Sequence, residues 1–247
     1  MHAHSIEGKH GSITSPIACG VGSPRFGLVG QNARKGLIRV LCVDEHPLLR
    51  DGIAALLGSQ TDMELVAEAC NAREALQQFR DHRPDITLMD SGVKDINGID
   101  AISAIRNEFP EARVIVFTTH AGDVQVSRAL KAGARAYLLK GVLRTELVET
   151  IRAVHLGRKR LSAELAAEIA EHAADSPLTP REVGVLRFVA AGNRNKDIAA
   201  QLALTEETVK SHLKNILWKL GANDRTHAVT IGLKRGIIDL RLDAALE

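Results

Sequence analysis

The stretch Ile38-Arg39-Val40-Leu41-Cys42-Val43-Asp44-Glu45 decides the fold, because an apolar run ends there in two carboxylates. Three later runs, at residues 86–90, 114–118 and 136–140, are also short and apolar, and each ends in a polar side chain. Short apolar runs that alternate with helical patterns are typical of a parallel sheet covered by helices on both faces. Because ligands bind outside the carboxyl ends of such strands, we expect these polar ends to form one site.

Residues 38–156 carry a repeated pattern in which each strand is followed by a helix. Between the apolar runs, apolar residues recur at spacings of three and four, which indicates amphipathic helices. Five alternating units with short connections predict an α/β fold, a flavodoxin-like, five-stranded, doubly wound parallel sheet. The predicted strands are 38–43, 64–69, 85–89, 113–117 and 136–139.

Residues 178–240 are helical by pattern throughout. The first helix is expected to begin at Thr179-Pro180-Arg181-Glu182, which supplies an N-cap, a first-turn proline and a first-turn acid. Further helices are predicted at 196–202 and 205–220, and a fourth after Asp224. Two short helices joined by a tight turn predict a small all-α helix-turn-helix domain.

These patterns divide the chain into five segments. The predicted organisation is a disordered N-terminal extension at 1–36, the α/β domain at 37–156, a linker with a helix at 157–176, the helix-turn-helix domain at 177–240 and a tail at 241–247.

Charge is distributed unevenly along the chain, although the net formal charge is only +2. Residues 37–160 carry 17 acidic and 17 basic side chains, whereas residues 176–240 carry 6 acidic and 10 basic ones. A basic C-terminal module behind a neutral one indicates nucleic acid as a partner. Three cysteines without a CxxC pair, and no run of about 18 apolar residues, predict a cytoplasmic protein without a membrane partner.

The polar strand ends together offer three carboxylates, a hydroxyl and an ammonium group. They belong to Asp44, Glu45, Asp90, Thr118 and Lys140. Carboxylates are the ligands that Mg²⁺ prefers, and an ammonium group pairs with phosphoryl oxygens as a point charge. The edge of the sheet is therefore suited to a divalent cation and a phosphoryl group.

Five motifs, in order and at fitting separations, resemble the receiver domains of bacterial response regulators, most closely those of the NarL/FixJ type. The motifs are Val43-Asp44-Glu45-His46-Pro47, Leu88-Met89-Asp90, Phe117-Thr118-Thr119, residues 129–134 and Tyr137-Leu138-Leu139-Lys140. The resemblance covers about residues 38–156. It implies that Asp90 accepts a phosphoryl group from a sensor histidine kinase.

The resemblance also implies roles for the groups around Asp90. The implied Mg²⁺ ligands are Asp44, Glu45, Asp90 and the carbonyl oxygen of Gly92. Lys140 would pair with the phosphoryl oxygens, and Thr118 would donate a hydrogen bond to another of them. Tyr137 resembles the aromatic side chain that changes rotamer when Thr118 moves, which would couple the added charge to packing.

The loop after the implied phosphoacceptor departs from the family pattern. The family usually has Asp-x-x-Met-Pro-x-x-x-Gly, whereas this chain has Asp90-Ser91-Gly92-Val93-Lys94-Asp95-Ile96-Asn97-Gly98. Loss of the proline frees the backbone, and Lys94 adds a cation near the pocket. An alternative therefore stays open, in which an atypical receiver controls DNA binding without phosphorylation.

Most of residues 178–238 resemble the LuxR-type DNA-binding domain. The motifs are residues 178–182, 192–199, 208–213, 219–221 and 224–226. In such a domain the N-terminal half of the third helix reads base edges in the major groove of double-stranded DNA. The expected base or near-base contacts are Glu207, Lys210, Ser211 and Lys214. The expected phosphate contacts or helix caps are Arg194, Asn195, Lys196, Thr205, Thr208 and Arg225.

Simpler interpretations exist for some of these residues, since Lys210 and Lys214 would also suit a solvated helix face and Glu207 a helix-dipole partner. The last helix, with Val229 and Leu233, resembles the family's dimer contact, and a homodimer would present two recognition helices to a two-fold site. The chain is thus expected to be a response regulator and transcription factor. An enzyme of the same fold class would need a Gly-rich phosphate loop, which residues 44–52 do not provide.

Overall fold

A single parallel sheet forms the centre of the N-terminal domain. The computed structural model describes residues 36–93, 97–119 and 122–239. The strands are β1 (Ile38–Val43), β2 (Met63–Ala69), β3 (Ile86–Met89), β4 (Val114–Thr118), β5 (Ala136–Leu139) and β6 (Arg160–Leu161). Their order is β2-β1-β3-β4-β5-β6, and the five neighbouring pairs are parallel, which confirms the predicted α/β class.

Helices cover both faces of the sheet. They are α1 (Pro47–Gly58), α2 (Ala72–His82), α3 (Gly98–Glu108), α4 (Asp123–Ala132) and α5 (Arg144–His155). Buried apolar residues of α1 and α5 pack on one face, and those of α2, α3 and α4 pack on the other. The central strands β1, β3, β4 and β5 therefore contribute to two cores, which is why they are largely apolar without strict alternation.

The sheet has six strands where the sequence predicts five. The additional strand pairs Arg160 with Ala136 and Leu161 with Tyr137, and it lies in the segment that the sequence assigns to the linker. A two-residue strand with one exposed and one half-buried side chain is too short to produce a periodic apolar signal. The helix that follows, α6 (Ala163–Glu171), packs Leu165 against the core beside α4.

Four helices form the C-terminal domain around an aliphatic core. They are α7 (Pro180–Ala190), α8 (Asn195–Gln201), α9 (Glu206–Leu220) and α10 (Arg225–Lys234). The predicted start of α7 is confirmed, since Thr179 and Glu182 form a reciprocal capping box. The turn between α8 and α9 places Ala203 at φ 52°, and Gly221 ends α9 at φ 61°, so the helix-turn-helix expectation holds. The predicted extension at 1–36, apart from Gly36, and the tail at 241–247 lie outside the described residues.

Candidate functional site

Two carboxylates and one ammonium group meet at the carboxyl edge of the sheet. Asp44 follows β1, Asp90 follows β3 and Lys140 follows β5. Lys140 Nζ lies 2.5 Å from Asp44 Oδ2 and 2.8 Å from Asp90 Oδ2. The two carboxylates are almost completely buried. The parallel strand order brings together side chains that are up to 96 positions apart in the sequence, from 44 to 140.

The electrostatics of this pocket stabilise the charged form of its lysine. Partial burial disfavours the ammonium group, but hydrogen bonds to Asp44 and Asp90 outweigh that effect and raise the pKa of Lys140. Two buried negative charges face one positive charge, so the trio carries a net negative charge. A net negative, partly open pocket attracts further cationic charge.

The backbone around Asp90 holds its carboxylate in place. The Asp90 N–H donates to the carbonyl of Val43 at 2.9 Å, and the Gly92 N–H donates to Asp90 Oδ1 at 3.1 Å. Helix α3 begins very close to the end of β3. A Cβ at Gly98 would lie only 2.3 Å from the Asp90 carbonyl oxygen. The glycine retained from the family pattern therefore permits a close backbone approach. Val93 is buried in the core, whereas Lys94 lies outside the described residues.

The donor set of the pocket fits a hard divalent cation. Ligand atoms of Asp44, His46 and Asp90 lie within 4.8 Å of one another, and this group is the metal-like cluster among the described residues. Glu45, an expected direct ligand, is half-buried and does not belong to that cluster. His46 instead contacts Asp44, with Nδ1 at 3.0 Å from Oδ1. The converging carboxylates are the ligand type that Mg²⁺ prefers.

Arg50 stabilises the turn that carries Asp44, a role that the sequence did not predict. This buried α1 side chain donates from Nη1 to the Asp44 carbonyl at 2.7 Å and from Nε to Glu68 Oε2 at 2.9 Å. The guanidinium group thus ties the turn after β1 to strand β2. The available signal was an arginine within an otherwise apolar helix face, where a buried cation needs fixed partners.

The two expected switch residues are buried beside the pocket. Thr118 ends β4 with no exposed surface, and its hydroxyl lies 2.8 Å from the hydroxyl of Ser91. Tyr137 in β5 is also fully buried. Burial raises the pKa of the Tyr137 phenol, the charge of Asp90 raises it further, and a hydrogen bond with Ser91 opposes the shift. Ser91 thus contacts the hydroxyl of Thr118, a contact that the sequence did not predict.

The N-terminal half of α9 presents a polar face to solvent. Glu207, Lys210, Ser211 and Lys214 are all exposed there. Lys210 Nζ lies 3.3 Å from Glu207 Oε2, an exposed pair that contributes little to stability. At the helix start, Thr205 caps α9 by accepting a hydrogen bond from the N–H of Thr208, and the hydroxyls of these two residues lie 2.8 Å apart.

The remaining expected DNA contacts lie around α8 and at the start of α10. Arg194 and Lys196 are exposed, and Asn195 is half-buried. Arg225 donates from Nη2 to the carbonyl of Asn193 at 2.9 Å, which ties α10 to the loop before α8. Positive side chains thus flank α9 on the same domain. Val229 and Leu233, the expected dimer contacts, are half-buried and pack against the core of their own domain.

One arginine joins the C-terminal domain to the N-terminal domain. Arg235, directly after α10, forms two hydrogen bonds with Asp123 at 3.1 and 2.8 Å. Its Nη1 donates to Asp175 Oδ2 at 2.8 Å. The hydrogen bonds and charges of Asp123 and then Asp175 outweigh desolvation and raise the pKa of Arg235. We call these three residues the Arg235 clamp.

Backbone contacts accompany the clamp. The Val124 N–H at the start of α4 donates to the Arg235 carbonyl at 3.2 Å. A Cβ at Gly122 would lie 2.4 Å from the carbonyl carbon of Arg235, so only glycine allows this approach. The sequence predicted none of these contacts. An acid in the first turn of a helix, such as Asp123, and a cation at a helix end, such as Arg235, are each explained by the helix dipole alone.

None of the helices in the described ranges is both long enough and apolar enough to cross a membrane.

Comparison with known proteins assigns both domains. The model of the response regulator receiver domain matches residues 40–152, and that of the luxR family of bacterial regulatory proteins matches residues 176–231. The chain is 37% identical over 206 residues to the uncharacterized transcriptional regulatory protein YhcZ of Bacillus subtilis, covering 80% of this chain and 96% of the relative. It is 34% identical over 211 residues to the transcriptional regulatory protein LiaR of the same organism, covering 82% and 100%.

A solved structure agrees with these matches. The response regulator ChrA of a heme-sensing two-component system is 31% identical, with a TM-score of 0.50, over 82% of this chain and 100% of that chain. The expected resemblance on both domains is thereby confirmed. The chain belongs to the response regulators that join a receiver domain to a LuxR-type DNA-binding domain, a family of transcriptional regulators and not of enzymes.

Proposed function

We propose that phosphorylation of Asp90 by a sensor histidine kinase controls DNA binding by this protein. In the transfer, the Asp90 Oδ–P bond forms as the N–P bond of the phosphohistidine breaks, and the departing nitrogen keeps the electron pair and takes up a proton. The observation that carries the proposal is the Lys140 ammonium group, which contacts both Asp44 and Asp90 in the same pocket.

The side chains of the pocket have distinct tasks in this transfer. Asp90 is the nucleophile, and the backbone N–H of Gly92 orients one of its oxygens. Lys140 leaves its double contact with the carboxylates and pairs with the phosphoryl oxygens, because these carry the added negative charge. Bound Mg²⁺, held by Asp44 and Asp90 with Glu45 and the Gly92 carbonyl as expected further ligands, would supply positive charge to the same oxygens.

The receiver communicates with the DNA-binding domain through the start of α4. Thr118 and Asp123 are only five positions apart in the chain. When the Thr118 hydroxyl turns to a phosphoryl oxygen, the start of α4 shifts relative to the sheet. That movement weakens the Arg235 clamp and releases the C-terminal domain. The Arg235 clamp thus has two states, intact and broken, and phosphorylation shifts the equilibrium toward the broken one.

The released domain binds double-stranded DNA as a homodimer. Lys210, Ser211 and Lys214 enter the major groove, while exposed cations such as Arg194 and Lys196 contact phosphates. Contact between two copies through Val229 and Leu233 matches the two-fold symmetry of an operator. We expect the protein to act in the cytoplasm, where the kinase domain and the chromosome are both accessible.

Phosphorylation can be tested with full-length wild type and the Asp90→Ala variant, each incubated with acetyl phosphate and Mg²⁺. Wild type should gain the mass of one phosphoryl group and bind operator DNA more tightly, whereas Asp90→Ala should do neither, because the nucleophile is absent. Asp100→Ala, which removes an exposed acid from α3, serves as the control and should behave as wild type. Equal DNA binding by wild type and Asp90→Ala in every condition would refute the switch and favour a phosphorylation-independent regulator.

Lys210→Ala should weaken DNA binding and lower the dependence of log Kd on log salt concentration by about one unit, because one phosphate or base contact is lost. Fluorescence anisotropy at several salt concentrations measures both quantities. Lys131→Ala removes an equal charge from an exposed site on α4 and should leave the salt slope unchanged. An unaltered affinity and slope for Lys210→Ala would remove this residue from the interface.

A further inference from the structure

His46 lies at the mouth of the acidic pocket, beside Asp44. Its Nδ1 is 3.0 Å from Asp44 Oδ1, and its backbone N–H donates to the same oxygen at 2.9 Å. The His46 side chain is 60% exposed, whereas that of Asp44 is 3% exposed. An imidazole ring, whose nitrogens are common metal ligands, therefore contacts solvent on one side and a buried carboxylate on the other.

Helix capping does not account for this side chain. His46 is the N-cap residue of α1, but within the described part of the chain its side chain forms no hydrogen bond with the first turn. Histidine is also not among the residues favoured at N-caps, whose short side chains reach the free N–H groups. The His46 carbonyl nevertheless accepts from the N–H groups of Leu49 and Arg50, at 3.1 and 3.2 Å. The backbone thus holds the ring next to Asp44.

The spacing of the ligand atoms fits a single cation. Ligand atoms of Asp44, His46 and Asp90 lie within 4.8 Å of one another. Two atoms that bind one octahedral ion at right angles, each at about 2.1 Å, are about 3.0 Å apart. His46 Nδ1 and Asp44 Oδ1 have this separation. When the imidazole proton is on Nε2, the lone pair of Nδ1 is available to a cation.

Lys140 contacts a different oxygen of Asp44. Its ammonium group lies against Oδ2 of Asp44 and Oδ2 of Asp90, whereas His46 lies against Oδ1 of Asp44. A cation shared between His46 and Asp44 Oδ1 therefore does not compete with the ammonium group for the same Asp44 oxygen.

We propose that His46 is a ligand of the metal ion in this pocket and makes the pocket select a divalent first-row transition ion over Mg²⁺. Mg²⁺ prefers oxygen ligands, whereas imidazole nitrogen suits transition ions. His46 thus adds a nitrogen to the oxygen ligands that the sequence predicted. This inference rests on the proposed metal-dependent phosphorylation of Asp90, for which either ion would supply positive charge.

Mn²⁺ is the probe, because its electron spin reports a bonded nitrogen directly. Metal-free, full-length wild type, His46→Asn and His82→Asn are titrated with Mn²⁺ and with Mg²⁺. Pulsed electron paramagnetic resonance of each Mn²⁺ form then measures the coupling to a bonded ¹⁴N. Asparagine is favoured at N-caps, so His46→Asn should fold as wild type does. His82, in the last turn of α2, is the matched control, and Asp44→Asn tests whether the ion is in the pocket.

Wild type and His82→Asn should show the ¹⁴N coupling. In His46→Asn the coupling should disappear and the Mn²⁺ affinity should fall roughly 10-fold or more, as expected on loss of a metal-site partner, while the Mg²⁺ affinity changes little. Asp44→Asn should bind both ions more weakly. Mn²⁺ bound to wild type without the coupling, or a coupling that persists in His46→Asn, would overturn the role of His46 alone. If Asp44→Asn binds both ions as wild type does, the metal-dependent proposed function fails, and this inference with it.

Discussion

Arg235→Ala is expected to raise the DNA affinity of the unphosphorylated protein by on the order of 10- to 100-fold. The guanidinium group pairs with Asp123 and Asp175, and its side chain is only 12% exposed. Removing one partner of a buried ion pair costs about 3 kcal/mol or more. The arrangement in which the clamp holds the C-terminal domain against α4 therefore loses most of its stability relative to the released one. Titration of operator DNA in the absence of any phosphoryl donor measures the effect.

The neighbouring Lys234 provides the control for charge. It is exposed on α10, so Lys234→Ala removes an equal charge without cutting the clamp. If Arg235→Ala and Lys234→Ala have the same affinity as unphosphorylated wild type, the clamp does not restrain the DNA-binding domain.

A steric variant tests the same contact without changing charge. Gly122→Ala would place a methyl group 2.4 Å from the carbonyl carbon of Arg235, a backbone atom that cannot give way locally. The domain interface should therefore open, and DNA affinity should rise as it does for Arg235→Ala. Gly184→Ala meets no atom within 4 Å and should leave affinity unchanged. If Gly122→Ala binds DNA with the affinity of wild type, then DNA binding does not require the two domains to separate.

Glu182→Gln is expected to lower the free energy of unfolding of the C-terminal domain by about 3 kcal/mol. Glu182 is buried, accepts from Lys219 Nζ at 2.7 Å, and accepts from the Thr179 N–H at 2.8 Å. The neutral amide leaves the half-buried ammonium group without its counter-charge. Urea unfolding monitored through Trp218, the single tryptophan of the chain, reports on this domain.

The pH dependence of stability separates the charge of Glu182 from its shape. Burial by itself raises the pKa of Glu182, but hydrogen bonds from Lys219 and Thr179 lower it below its usual 4.5. The stability from this carboxylate is thus complete above about pH 4.5 and is lost as the pH falls through the lower folded pKa. Glu182→Gln should lack this acid-dependent loss. Glu207→Gln, which alters an exposed pair, should match wild type, and equal urea midpoints for Glu182→Gln and wild type would contradict the prediction.

The architecture could be predicted because its signals are local. An apolar strand that ends in Asp44, or a capping box at Thr179, is specified by a few consecutive residues. Parallel topology then brings the ends of β1, β3 and β5 to one edge, so the meeting of Asp44, Asp90 and Lys140 was foreseeable. The sixth strand was not, because Arg160–Leu161 pairs with β5 through backbone groups that carry no sequence signal.

Contacts between residues distant in the chain escaped the sequence analysis. Arg235 and Asp123 are 112 positions apart, and Ser91 and Thr118 are 27 apart. An arginine after a helix and a serine after a strand each have an ordinary local explanation. The neighbouring residues do not identify the distant side chain that either one contacts.

By itself, the sequence determined the two folds, the family, and the side chains that gather at the edge of the sheet, because strand and helix periodicity act over short distances. Only the tertiary structure decided which groups touch: Lys140 between two carboxylates, Ser91 against Thr118, and Arg235 across the domain boundary. The physical reason is that hydrogen bonds and ion pairs act over about 3 Å, and packing sets which atoms come that close.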